Sequence, residues 1–283
     1  MSTSTPVTRD DTAPWGADPY ADALRSGRGP LFLRRTDGWL LPLEVERWCA
    51  GADAADLSAL RRCEGPVLDI GCGPGRLVAA LHAQGRRALG IDVSEAAVAR
   101  TSATGGTALC RSVFDSLPDE GSWGTALLLD GNIGIGGDPH ALLTRIGELL
   151  GRRGLLLVET TPADIDERVQ VRVDDLHGPR RRQSGRHSWF PWARVGTPAL
   201  LRHAAAAGWT PTDRWTVPEQ QPATGQGRRH LEGALPGQGL FPGQDAYPGP
   251  DAFPGPDSGP DQPPAAVRCF VALRRRAEPL SRG

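Results

Sequence analysis

Residues 67–77 read VLDIGCGPGRL. Val67, Leu68, Asp69 and Ile70 make an apolar strand that carries a carboxylate near its end. Gly71, Gly73 and Gly75 alternate through a tight turn, and Leu77, Val78, Ala80 and Leu81 follow at helical spacing. Strand, glycine loop and helix in this order form the opening unit of a nucleotide-binding α/β sheet. Glycine allows the backbone to bend at positive φ and lets a ligand lie close to it.

The spacing separates two ligand classes. A dinucleotide fingerprint, G-x-G-x-x-G, needs a glycine where this chain has Arg76, and it has no acid two places before the first glycine. The string D-x-G-x-G-x-G instead resembles motif I of the class I S-adenosylmethionine (SAM)-dependent methyltransferases. That resemblance spans residues 64–217 and 267–273. It implies an α/β fold: a doubly wound, seven-stranded, mostly parallel sheet with an antiparallel last strand and helices on both faces. It also implies SAM as cofactor, with Asp69, Gly71, Cys72, Gly73 and Gly75 around its methionine half.

Other segments agree with this resemblance. Residues 88–91 are a short apolar strand ending at Asp92, 17 residues after Gly75 and near the offset of a ribose-binding acid. Asp92, with Val93 beside it, is read as the ribose site, and Ser94 as the cap of the next helix. A strand at 107–110 leads into RSVFDSLP, where Phe114 and Asp115 resemble the adenine contacts of the family. Residues 126–130 form a continuous apolar run, as buried parallel strands do. Asp130, Gly131 and Asn132 follow it and resemble motif IV, between cofactor and acceptor. Asp138 and Pro139 open a helix as N-cap and first residue, and residues 155–159 make a fifth strand.

The remaining segments are read as additions to this core. Residues 1–18 are polar and expected to be disordered. Residues 19–63 read as a helical N-terminal cap, with helices near 43–49 and 54–62, and with Trp39 facing the acceptor. Residues 161–197 leave the α/β rhythm and read as a substrate-side insertion. There VQVRV (169–173) alternates as a strand, and His187, Trp189, Phe190 and Trp192 supply candidate acceptor contacts. Residues 209–217 and 267–273 are the last two strands. Between them, residues 219–265 repeat FPGQDA, YPGPDA and FPGPDS, a Pro/Gly-rich composition expected to stay disordered.

Composition narrows the function. The net charge is −1, and all 32 residues of the Lys+Arg class are arginine. No basic excess draws the chain to nucleic acid, and no run of 18 apolar residues marks a membrane span. The N-terminus lacks an apolar signal region, so the chain reads as cytoplasmic. The five cysteines lack metal spacing, and no metal is expected. The oligomeric state is open. Methyl transfer needs a base only when the acceptor must lose a proton; the candidates are Asp130, His187 and, behind them, His177. The resulting expectation is a SAM-dependent methyltransferase acting on O, N or C of a small molecule, in bacterial specialised metabolism. The alternatives are a SAM-binding protein without turnover, and methylation of protein or RNA.

Overall fold

The computed structural model describes residues 18–176, 189–219 and 267–276. The chain divides into two units: residues 1–218 with 267–283, and residues 219–266. Apart from Glu219, the second unit lies outside the described residues, as do residues 1–17 and 177–188. The disorder expected for 1–18 and for the repeat, and the roles given to His177 and His187, therefore fall outside the described residues, except that Asp18 opens a helix rather than lying in disordered chain.

The first unit is built on a seven-stranded sheet in the order β10-β11-β7-β6-β3-β4-β5. Its strands are β3 (Val67–Ile70), β4 (Ala88–Asp92), β5 (Ala108–Cys110), β6 (Trp123–Leu128), β7 (Leu150–Thr160), β10 (Trp209–Pro218) and β11 (Val267–Arg275). The pairs β3–β4, β3–β6, β4–β5 and β6–β7 are parallel; β11 runs antiparallel between β7 and β10. This is the expected doubly wound sheet. The central strands are buried on both faces, which is why VLDI and TALL are apolar apart from Asp69 and Thr125.

Helices α3 (Ala54–Leu60), α4 (Arg76–Ala83), α5 (Glu95–Ala103), α6 (Pro139–Leu149) and α7 (Thr197–Ala206) cover the sheet. Leu142, Leu143, Ile146 and Leu149 of α6 pack with Leu200 and Ala204 of α7 and with Trp209 in one core. Leu60 of α3 and Leu77, Val78 and Leu81 of α4 form a second core with Val67, Leu127 and Phe270. Asp138 caps α6 through the His140 and Ala141 N–H groups, and Asp53 with Asp56 forms a capping box on α3.

Part of the chain departs from the helical expectation for residues 19–63. It contains α1 (Asp18–Ser26) and α2 (Val45–Cys49), and also two strands, β1 (Phe32–Arg35) and β2 (Leu40–Pro42). These join β8 (Asp166–Asp174) and β9 (Phe190–Val195) in a separate antiparallel sheet, ordered β2-β1-β8-β9. β1 pairs with β8 through Leu33↔Val173, a partner 140 positions away. Alternation puts Leu33, Val171, Val173, Phe190 and Trp192 on one face, where they share a third core with Tyr20, Leu24, Val45 and Ala97. This sheet is fastened at the ends of β6 and β7. Ile135 bridges to Trp192, Thr161 bridges to Gly196, and the Thr160 hydroxyl donates to the Val195 carbonyl (2.8 Å).

Candidate active site

The carboxyl ends of β3, β4, β5 and β6 converge, where an open α/β sheet binds its ligand. The three loop glycines divide the work between them. All have positive φ, +71°, +53° and +83° for Gly71, Gly73 and Gly75. A Cβ on Gly75 would stand 2.5 Å from Thr101, so this glycine lets α4 pack on α5. A Cβ on Gly71 would stand 2.7 Å from the Asn132 amide, whose Nδ2 donates to the Ile70 and Gly71 carbonyls. At Gly73 a Cβ would meet only the Tyr20 hydroxyl, at 3.8 Å. Of the three, Gly73 alone leaves open space at its Cβ position. The Cys72 thiol packs against Gly90 and Thr101, and burial pushes its pKa well up, so its side chain is an inert filler.

Asp92 and Asp69 flank that space. Asp92 Oδ2 accepts from the Gly73 N–H (2.9 Å) and Oδ1 from the Ser94 N–H (2.8 Å). Ser94 is the N-cap of α5, so Asp92 is not spent on that role. Burial lifts Asp92 to about 6, against the pull of these backbone donors. The Val93 carbonyl, next to it, accepts from the Cys110 thiol. Asp69 is 2% exposed, and its Oδ2 has no hydrogen-bond partner among the described residues. Burial, opposed by Arg76, lifts it to about 7.

Phe114 stands half exposed beside Gly136, where a Cβ would come within 2.8 Å of the ring. The Asp115 carboxylate accepts from the Ser112 N–H (2.9 Å) and closes its own turn. Asp130 lies at the end of β6 with φ +57°, followed by Gly131 at +79°. Its N–H donates to Glu159 (2.9 Å), and its carboxylate is gripped by Arg47 of α2 and by Arg76 Nη1 (2.7 Å). Burial alone would raise this carboxyl; the two guanidiniums outweigh it and hold Asp130 at about 2. A carboxylate so low and so occupied is a poor proton acceptor, which counts against Asp130 as a base.

These residues belong to a buried ionic cluster that sequence reading missed. Arg76, 4% exposed at its side chain, makes two bonds to Asp56 (2.8 and 3.0 Å). Arg268 of β11 binds Glu159 twice (2.7 and 2.8 Å), and also Asp53 and Asp56. One signal was present: a cation in the first turn of a helix opposes the helix dipole, so Arg76 had to be paired. Nothing local announced Tyr20, Arg47 or Arg268.

The expected acceptor contacts are dispersed. Phe190 and Trp192 are buried, packed edge to face at 6.3 Å within the third core. Trp189, just before β9, is 41% exposed beside Arg172. Trp39 is half-buried, with the Arg194 and Arg35 guanidiniums over its ring at 4.5 and 5.6 Å. Among the described residues no group of three or more His, Cys, Asp or Glu side chains could hold a metal. No helix among them is long and apolar enough to cross a membrane.

Comparison with known proteins agrees with the geometry. A family model described as a methyltransferase domain matches residues 46–196. No curated protein sequence matches the chain. Among solved structures, the chain is similar to a SAM-dependent methyltransferase from Bacteroides fragilis in complex with S-adenosyl-L-homocysteine. The TM-score is 0.56 at 20% identity, covering 76% of this chain and 93% of that one. It is also similar to the CcbJ methyltransferase from Streptomyces caelestis, with TM-score 0.50, 17% identity, and 94% and 100% of the two chains covered. A third structure, described as concerning conversion of a disulfide bond into a thioacetal group during echinomycin biosynthesis, gives 0.51 at 14% identity and 90% of each chain. The glycine cradle at Gly73, the carboxylates beside it and the matching family model lead to one assignment: the chain belongs to the methyltransferase domain family and is a SAM-dependent methyltransferase.

Proposed function

We propose that this enzyme methylates a small, partly apolar molecule held beside the glycine loop, next to the four-stranded sheet that rests on the loop after β6. The observation that carries this reading is the seating of that sheet. The strand holding Phe190 and Trp192 rests on Gly134 and Gly137, a few residues beyond Asp130. A roof fixed so near the end of β6 suits a compact acceptor.

Tyr20, Gly73, Asp69 and Asp92 would hold the methionine and ribose parts of SAM, and Phe114 would stand at its adenine. SAM supplies a methyl group on a sulfonium, so transfer is an in-line displacement and the protein chiefly aligns the partners. Asp130, the candidate base that lies among the described residues, and two of the histidines are already engaged. Asp130 is clamped, the His82 nitrogens lie 3.1 and 3.0 Å from the Gly105 and Ala88 carbonyls, and His203 pairs with Asp166. A place in bacterial specialised metabolism completes the proposal.

The test is incubation of the full chain with methyl-labelled SAM and a panel of small amines, phenols and heteroaromatics, beside total protein and RNA. Label in a small molecule supports the proposal. Label only in protein or RNA overturns it, and S-adenosylhomocysteine binding without any transfer points to a non-catalytic SAM protein.

A further inference from the structure

Arg145 lies outside the glycine loop, yet it is one of the most heavily bonded side chains among the described residues. It rises from α6, 15% exposed at its side chain. Nε donates to the Val113 carbonyl (3.0 Å), and Nη2 donates to the Asp115 carbonyl (2.8 Å). Glu120 receives Nη2 and Nη1 at 2.6 and 3.2 Å, and Glu148 receives Nη1 at 3.0 Å. Glu120 in turn accepts from the Leu117 N–H (2.8 Å). One guanidinium thus ties down both ends of the 113–115 turn and, through Glu120, the chain beyond it.

That turn lies beside the ribose acid. The Arg111 N–H donates to the Asp92 carbonyl (3.0 Å), so the segment leaves β5 alongside the end of β4. Within the turn, the N–H groups of Ser112, Phe114 and Asp115 are spent on Asp115 and Ser112 oxygens. The Val113 N–H has no acceptor among the described residues. Phe114 leans on Gly136, where any side chain would displace the ring. A planar heterocycle extending from a ribose at Asp92 would meet one backbone donor and one aromatic wall here, both carried on a turn that Arg145 holds.

We propose that Arg145 is a positioning residue for the adenine end of SAM, setting where the Val113 backbone and the Phe114 ring meet the base. This rests on the reading of the site as a SAM cradle. Calorimetry on the full chain tests it, with S-adenosylhomocysteine and its hypoxanthine counterpart, S-inosylhomocysteine, as ligands. In Arg145→Gln, loss of two carbonyl bonds weakens S-adenosylhomocysteine binding about tenfold, and the preference for adenine over hypoxanthine collapses. Arg145→Lys, which keeps the charge but not the fork, gives an intermediate loss. It decides alone if Arg145→Gln does not fold.

A variant with a lower melting temperature but unchanged affinity and unchanged base preference would make Arg145 a structural tie only, and would overturn the proposal. Failure of the wild-type chain to bind S-adenosylhomocysteine would overturn the cradle reading itself, and this inference with it.

Discussion

Asp69 shows what a single buried atom can decide. Its carboxyl is raised from the ordinary 3.8 to about 7, with burial the largest cause. Below 3.8 it is protonated both folded and unfolded, and its burial costs little. Between 3.8 and 7 only the unfolded chain ionises, so stability falls as pH rises, by about 1.4 kcal/mol for each pH unit crossed. Above 7 the full cost persists unless a cationic ligand faces the carboxylate. Asp69→Asn is therefore expected to raise the melting temperature of the unliganded protein at pH 8, while weakening S-adenosylhomocysteine binding. Wild-type affinity should drop as pH falls from 8 to 6, and the variant's should drop less, through Asp92 alone. Calorimetry across that range, beside melting curves, checks both signs. The residues themselves were readable to different depths. Asp69, Gly73 and Asp92 are candidates by spacing, and the structure gathers them at the ends of β3 and β4. Gly71 and Gly75 looked equivalent to Gly73, because a sequence does not show that Asn132 and Thr101 fill the space beside them.

At the scale of elements, the loop 131–137 and strand β9 form one joint. A Cβ on Gly134 would stand 2.6 Å from the Trp192 ring and would also collide with the Ala193 carbonyl. One on Gly137 would come within 2.7 Å of Pro191. Gly134 has no positive φ, so Gly134→Ala tests packing with little backbone strain. It is expected to cost about 1–3 kcal/mol by overpacking, read by denaturant unfolding. Hydrogen exchange should speed up in β8 and β9 but not in β3 or β4. Uniform acceleration would mean that the sheet and the α/β core open together. The β8 strand was legible as the alternating VQVRV. Its partners were not: β1 lies some 140 positions upstream, in a segment whose short apolar runs also suit a helical cap.

Across the whole molecule, the last hairpin brings distant chain together. Pro218 pairs with Val267, so the strand ends that flank residues 219–266 lie side by side. Replacing residues 219–265 by a short turn is expected to leave S-adenosylhomocysteine affinity unchanged and the melting temperature no lower. Closing the shorter loop recovers about 2 kcal/mol of chain entropy. A large fall in melting temperature would show that the repeat packs on the folded unit. The hairpin has its own anchors: Trp215 stacks on Phe270 at 5.1 Å, and Arg268 reaches Asp53, Asp56 and Glu159. By that reach β11 secures α3, the glycine-loop helix through Asp56 and Arg76, and the turn at Asp130.

What the sequence determined by itself was everything written in local spacing. The strand, glycine loop and helix at 67–81, the acid at 92 and the apolar runs of the parallel strands suffice for the α/β sheet and for the candidate cofactor loop. Their physics acts over a few residues: φ at a glycine, a helical stripe, a strand buried on both faces. Only the tertiary structure decided the rest: the four-stranded antiparallel sheet, the Arg47–Asp130–Arg76 clamp, and Arg145 on the 113–115 turn. Each joins segments from 30 to 140 positions apart. Charge and hydrophobicity mark such side chains as needing partners, but which partners they meet is set by how the layers pack.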